Sequence, residues 1–366
     1  MSTELKKVFL CLLRRGLWGD DSIIVKNQLG LEEWSQIFKI AANHTVEGII
    51  FDSFPFLDED QLPEKPLRIK WAVRVDAIER YNTKMNTVLY AQNKILSNEG
   101  LKPILQKGQG VAQYYNNPKR RSSGDIDWYF ENEGYKKARL LLKKQKQPFK
   151  DSAGFSLNYD WNGVHIEYHK KLFDIQSPFK RKFLKRLLKE YESEFDCLKI
   201  DNSSIKILPK ELQLLQVNSH ILKHLLSFGI GLRQLCDSAI LYHRFKNDID
   251  GKKLKFIYKQ LGILKWIHHL HAVLVKHIGL PKSSLPFPYP ENLDSEWMFN
   301  EIWYSGNFGF HDNRYKDGKI TAISAQPDGL RRLWLNFKLY FKYAPQEALF
   351  YPMIQTFSRF LGKDKD

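Results

Sequence analysis

Between Leu101 and about Leu172 the spacing of apolar residues drops from three and four to two, and the helical spacing returns only after Pro209. Side chains recur on one face every 3.6 residues in a helix and every second residue in a strand, so this change of period inserts strands into an otherwise helical chain. Upstream, Leu31, Trp34, Ile37, Phe38 and Ala41 mark one helix and residues 67–96 another, which stops at Asn98-Glu99-Gly100. Pro103-Ile104-Leu105 then reads as a short strand ending at Lys107-Gly108. Ile126, Trp128 and Phe130 alternate with Asp125, Asp127 and Tyr129, and Val164, Ile166 and Tyr168 alternate with His165, Glu167 and His169. Each is a half-buried strand with one polar face. Residues 135–145 form a basic helix between them. Downstream, a stripe of Leu212, Leu215, Ser219, Leu222, Leu225 and Leu226 breaks at Gly229-Ile230-Gly231 before a helix over residues 232–245. The remainder is helical apart from a Pro-rich loop over residues 281–290.

The two acids of Asp125-Ile-Asp127 project from one strand face a pleat apart, and Glu167 is the natural third from a neighbouring strand. Like charges within about 4 Å repel by roughly 4 kcal/mol per pair at a surface-like dielectric. Such a cluster must hold a proton or a cation. In its metal-free form at least one acid is expected to titrate above the usual range, and Asp127→Asn is expected to leave the fold at least as stable. Mg²⁺, or Mn²⁺, suits hard oxygen ligands shared with substrate phosphates, and two such ions activate an attacking oxygen and neutralise a leaving pyrophosphate. The adjoining small-residue loop supplies the complement. Lys107, Gly108, Arg121, Ser123 and Gly124 are the candidate cradle for a polyphosphate, with Arg121 expected on phosphate. An isolated D-x-D more often decorates the wet face of an edge strand. Here the loop before it and the acid-bearing strand after it favour a site.

These residues resemble a known family. Leu105 with Lys107-Gly108, Arg121-x-x-Gly124-Asp125-Ile126-Asp127, and Ile166-Glu167-Tyr168-His169 look like the uncharacterised nucleotidyltransferase family of the DNA polymerase β-like superfamily. Trp34, Ala41 and His44-Thr45-Val46 look like its N-terminal helices, and His220-x-x-Lys223-His224 with Gly231-Leu232-Arg233-x-x-x-Asp237 like its C-terminal signature. The resemblance implies an α+β fold, a small mixed sheet flanked by helices. It divides the chain into an N-terminal helical region (1–100), a nucleotidyltransferase-like core (101–205) and a C-terminal helical domain (206–366). It also implies Asp125, Asp127 and Glu167 as metal ligands, and transfer of a nucleoside monophosphate from an NTP to an acceptor the sequence does not name. One departure stands out: a Gly-Ser or Gly-Gly pair is usual before the acids, whereas Gly108 is followed by Gln109, so Ser122 or Ser123 is the expected substitute.

His220 and His224, at i and i+4, have a spacing that can bind zinc, but no third ligand accompanies them. Helix packing or contact with the acceptor is the simpler role. Arg233 and Asp237 share that spacing and read as a helix ion pair or as groups that orient the acceptor. His165 and His169 flank Glu167 as supporting groups or a general base. His268, His269 and His271 have no accompanying acids and read as surface. Eight basic residues and one acid between Lys170 and Lys189, in a chain of net charge +16, read as a solvated helix face and a possible nucleic-acid surface. The aromatic and basic stretch from Leu330 to Lys342 reads as core packing ahead of a membrane-surface helix. Three scattered cysteines and no apolar run of 18 residues suggest a reducing, cytoplasmic setting without a transmembrane segment. No GxGxxG or GxxxxGK[ST] occurs, so Rossmann and P-loop binding are unsupported. The rival to an enzyme is a non-catalytic nucleotide- or RNA-binding module of the same fold.

Overall fold

In the computed structural model, which describes residues 2–19, 28–152, 156–200, 203–310, 312–315 and 329–362, the alternating segments pair into one mixed sheet. Helices α1 (Thr3–Trp18), α2 (Leu31–Asn43), α3 (Glu47–Phe51) and α4 (Lys65–Asn98) precede it. The sheet region runs β1 (Ile104–Gln106), α5 (Gly108–Ala112), β2 (Asp125–Tyr129), α6 (Asn132–Lys144), β3 (Lys150–Ser152), β4 (Ser156–Trp161), β5 (Val164–His169), α7 (Arg181–Glu190), β6 (Asp196–Ile200) and β7 (Ser203–Ile207). Helices α8 (Lys210–Leu226), α9 (Leu232–Phe245), α10 (Gly251–Leu261), α11 (Leu264–Val273), α12 (Glu296–Ser305), α13 (Gly329–Tyr340) and α14 (Pro345–Gly362) complete the chain. The fold class is α+β.

The seven strands lie in the order β3-β4-β5-β2-β1-β7-β6. Strands β2 and β5 run parallel with Asp127 opposite Glu167 and Asp125 opposite His165. Strand β1 runs antiparallel to β2 with Gln106 opposite Asp127. The polar faces read from the sequence therefore coincide at the centre of the sheet. On the other face Ile126, Trp128, Ile166 and Tyr168 are buried with Met85, Val88 and Leu89 of α4 and Leu141 and Leu142 of α6. This is why α4 and α6 are amphipathic: each covers one side of a strand surface that would otherwise meet water.

A second, larger core joins the chain's two helical ends. Leu12, Leu13, Trp34, Ile37 and Trp71 belong to the same buried cluster as Leu215, Leu222, Leu235, Trp266 and Phe299. Strapping residues reinforce it: the Trp18 indole donates to the Ile278 carbonyl (2.8 Å) and Arg14 Nε to the His277 carbonyl (3.0 Å), closing the π-helical turn Leu274–Ile278 that extends α11.

Three expectations change here. His269 and His271 are buried, not surface, and His271 lies between the rings of Tyr242 and Phe287 with both ring nitrogens unpartnered. Stretch 330–342 divides its aromatics: Tyr340 is buried while Trp334, Leu335 and Phe341 are exposed, and Leu330 lies outside the described side chains. Of the basic run, residues 181–189 lie in α7 with their lysines and arginines exposed, while its single acid, Asp174, lies before that helix and contacts His220 and Lys223. Among the described residues no helix is long and apolar enough to cross a membrane.

Candidate active site

The polar face of β2 and β5 looks onto helices α8 and α9 across a pocket of about 290 Å³. Every candidate residue named from the sequence lines it except Ser122 and His165. On the sheet side the ligand atoms of Asp127, Glu167 and His169 lie within 4.8 Å of one another. This cluster differs from the expected trio, because His169 joins it while Asp125 stands one pleat further along. His169 Nε2 meets Asp127 Oδ1 at 2.6 Å and Glu167 Oε2 at 3.3 Å. His165 Nε2 approaches Glu167 Oε1 at 3.4 Å and its Nδ1 meets Asp160 at 2.9 Å. The Asn158 amide, turned so that its nitrogen faces Glu167, donates to both carboxylate oxygens (3.1 and 3.3 Å).

Lys107 bridges the acids to the helices. Its Nζ lies 3.2 Å from Asp127 Oδ2 and 3.5 Å from His220 Nδ1. The residue adopts φ 46°, ψ −135°, a conformation costing a non-glycine residue on the order of 1–3 kcal/mol. Its amide donates to Gln216 Oε1 (3.1 Å), and the Gln216 amide in turn donates to Gln106 Oε1 and the Leu172 carbonyl, both at 3.0 Å. A side chain from α8 thus fixes the turn after β1.

The two aspartates titrate in opposite directions. Asp127's charge, with burial, pushes the Asp125 carboxyl up to about 6. Burial acts on Asp127 in the same sense, but the Lys107 ammonium and the His169 hydrogen bond more than reverse it and hold that carboxyl well below the usual range. The repulsion expected from the spacing falls on Asp125, whereas Asp127 is paired with Lys107, so the geometry predicts a cost for Asp127→Asn in place of the stability expected from the sequence.

Arg121 is turned toward Asp237: its Nε and Nη2 donate to the two Asp237 oxygens (2.6 and 2.7 Å) and its Nη1 to Ser123 Oγ (3.0 Å). Asp237 therefore pairs with Arg121 and not, as the helix spacing suggested, with Arg233. Arg233 instead donates through Nη1 to the Ser122 carbonyl (2.6 Å). Gln109, which follows Gly108, is likewise scaffold: its amide donates to Asn82 Oδ1 (3.1 Å), and Asn82 holds the Lys119 and Arg121 carbonyls.

On the helical side His220 Nδ1 contacts Asp174 Oδ2 (2.8 Å) and Lys223 Nζ contacts Asp174 Oδ1 (2.9 Å). Burial and the Lys107 charge push His220 down to about 4, and burial with the His220 charge pushes His224 well below its ordinary value. Both rings are neutral near pH 7, set edge to face with centroids 4.3 Å apart, and His224 abuts Phe308.

A family model described as uncharacterised nucleotidyltransferase matches residues 31–278, a span that holds every pocket residue except Phe308. The chain belongs to the uncharacterised nucleotidyltransferase family. No curated protein and no solved structure matches it. Within this nucleotidyltransferase family member the signature segments have distinct duties. His44, from the N-terminal signature, accepts the Leu232 and Arg233 amides (3.3 and 3.4 Å) through its ring nitrogen and carbonyl. It caps α9 and so aims Arg233 and Asp237. Gly231 permits this approach, since a Cβ there would lie 2.9 Å from the His44 carbonyl oxygen. Sequence reasoning missed Asp174, Gln216, Asn82 and Tyr115, all polar side chains with little exposure whose partners lie far along the chain.

Proposed function

We propose that this family member transfers a nucleoside monophosphate from an NTP to an acceptor lodged between the sheet and helices α8 and α9, with a divalent cation at Asp127, Glu167 and His169. The observation that carries the reading is the convergence of those three ligand atoms on the floor of the pocket. Two carboxylates and an imidazole are a donor set that fits Mg²⁺ or, more readily for its nitrogen, Mn²⁺. The Asp127 charge and burial push Asp125 up to about 6 against the opposing pull of Lys107, so the acids hold more negative charge than Lys107 offsets. A cation bound there supplies charge neutralisation for the phosphate chain and lowers the pKa of a bound hydroxyl. Lys107 is then free to turn its ammonium from Asp127 to a phosphate oxygen. His220, His224 and Phe308 form the opposite wall, against which the acceptor packs. A cytoplasmic setting, where NTP is abundant, belongs to this proposal.

The test supplies each α-labelled NTP with Mg²⁺ and a cell extract and asks for a labelled product that is absent with Asp127→Asn. No product and no NTP binding with any nucleotide and metal would sink the reading. A second reading, a non-catalytic nucleotide- or RNA-binding module, is favoured by two features. Lys107 already neutralises Asp127 as a built-in cation, and Gln109 is tied into the scaffold where a serine hydroxyl is usual. NTP binding without a product in any extract selects it.

A further inference from the structure

Two guanidinium groups stand side by side at the mouth of α9, and only one has a carboxylate. Arg121 is matched by both oxygens of Asp237. Arg233 has one hydrogen bond, from Nη1 to the Ser122 carbonyl, and its buried Nε has no partner. Asp237 and Asp125 are near enough to attract it, but neither forms an ion pair with it; burial and the neighbouring Arg121 charge act against its protonated form. Arg233 is half-buried with its Nε shut off from water, and a guanidinium so placed without a carboxylate is costly unless something anionic completes it. The group is nonetheless held rigidly. The His44 ring and carbonyl fix the first turn of α9, and Ser122 fixes the end of the side chain. The Leu232 and Arg233 amides are taken by His44, so an anion here would meet the Arg233 side chain and not those two amides.

We infer that Arg233 is the residue that grips the phosphate chain of the nucleotide, across the pocket from Asp125 and Asp127. This deepens the proposed nucleotidyl transfer and rests on it for the identity of the anion. A planar guanidinium matches two phosphate oxygens at once, which an ammonium cannot do. The phosphate chain then runs between the acidic floor and the Arg233 wall, with its negative charge shared by both, and Arg233 replaces Arg121 as the arginine of the phosphate site.

Inorganic tripolyphosphate is the probe, because it carries the phosphate chain without a base. Calorimetric titration in Mg²⁺ at low salt is expected to show binding to the parent. A loss of tenfold or more is expected for Arg233→Gln, a smaller loss for Arg233→Lys, and no change for Lys185→Gln, which removes a charge from the exposed face of α7. Should Arg233→Gln fail to fold, the ranking of Arg233→Lys below the parent with an unshifted melting temperature decides. Equal binding by the parent and both Arg233 variants overturns the inference, as does absence of tripolyphosphate binding to the parent. The two readings fail separately. Labelled transfer from NTP that is indifferent to Arg233 leaves the function and removes the grip, whereas Arg233-dependent tripolyphosphate binding without transfer from any NTP leaves the grip and removes the function.

Discussion

Arg121 and Asp237, 116 residues apart, form a two-pronged buried ion pair, Nε to Oδ1 at 2.6 Å and Nη2 to Oδ2 at 2.7 Å, with the Tyr115 hydroxyl donating to Oδ1 at 2.8 Å. The pair ties the loop before β2 to α9 and so sets the width of the pocket. Removing one partner of such a pair leaves the other charge buried and alone, at a cost of about 3–5 kcal/mol. Arg121→Ala should therefore lower the urea midpoint strongly. Unchanged stability with weakened NTP binding would instead return Arg121 to the phosphate.

The two strand acids should respond oppositely to neutralisation. Asp125, pushed up to about 6, binds its proton more tightly in the folded chain than in the unfolded one. Its contribution to stability is thus present below about pH 4 and lost as pH rises through 6. Asp125→Asn removes that loss and should stabilise the metal-free protein at pH 7 by on the order of 2 kcal/mol. Asp127, held low, contributes above its unfolded value and loses that contribution as pH falls. Asp127→Asn should destabilise by about 2–4 kcal/mol, because it leaves Lys107 buried without its partner. Melting curves of the two variants at pH 7 check the sign of each, and a stabilised Asp127→Asn contradicts the geometry.

His271 gives the fold a pH dependence away from the pocket. Burial among Tyr242 and Phe287 pushes its ring down to about 3, so the folded chain keeps it neutral while the unfolded chain protonates it near its ordinary value. The resulting stability is full above about pH 6.5 and falls by up to about 1.4 kcal/mol per pH unit on acidification toward 3. His271→Leu, of similar volume, should flatten that slope and raise stability at pH 7 by about 1 kcal/mol, since it also removes an unmet buried donor. A slope unchanged between pH 6.5 and 4 in urea titrations would show that the ring is accessible to water.

Gly48 of α3 should tolerate no side chain. A Cβ there would fall on the Arg120 carbonyl, and Arg120 is itself anchored through Nε to Glu79 (2.6 Å) and through Nη1 to Asp52. Gly48→Ala must push the 118–121 turn away from α3 and is expected to cost about 1–3 kcal/mol. Because Arg121 follows directly, NTP binding should weaken along with the melting temperature. A variant with parental stability would refute this close approach.

Legibility in the sequence followed the number of buried side chains per segment. Strand β5 buries every second residue and α4 every third or fourth, while β2, α8 and α9 are buried more continuously but keep their apolar residues at strand or helix spacing, and that spacing exposed them. Strands β6 and β7 bury only Leu198 and Ile200, and Ile205 and Ile207, too few to stand out among lysines and serines. Of the pocket, Asp125, Asp127, Glu167 and His169 were readable because one register fixes their common face. Which arginine met which carboxylate was not readable, because Arg121, Arg233 and Asp237 sort themselves by tertiary distance. Asp174 was hidden for the same reason: it sits in a run of lysines and arginines, and its partners His220 and Lys223 come from a helix 46 and 49 residues on.

The straps from α1 to the end of α11 impose an order on synthesis. Trp18 waits for a carbonyl 260 residues later in the chain, and Leu12 and Leu13 wait for the same helices to cover them. At 5–20 residues per second on the ribosome, the first helix spends roughly 13–52 s without the turn at residues 274–278 that completes its packing. Its apolar face is a natural target for chaperones in that interval, and a stalled or truncated chain ending before Ile278 would present that face without the partner that normally closes over it.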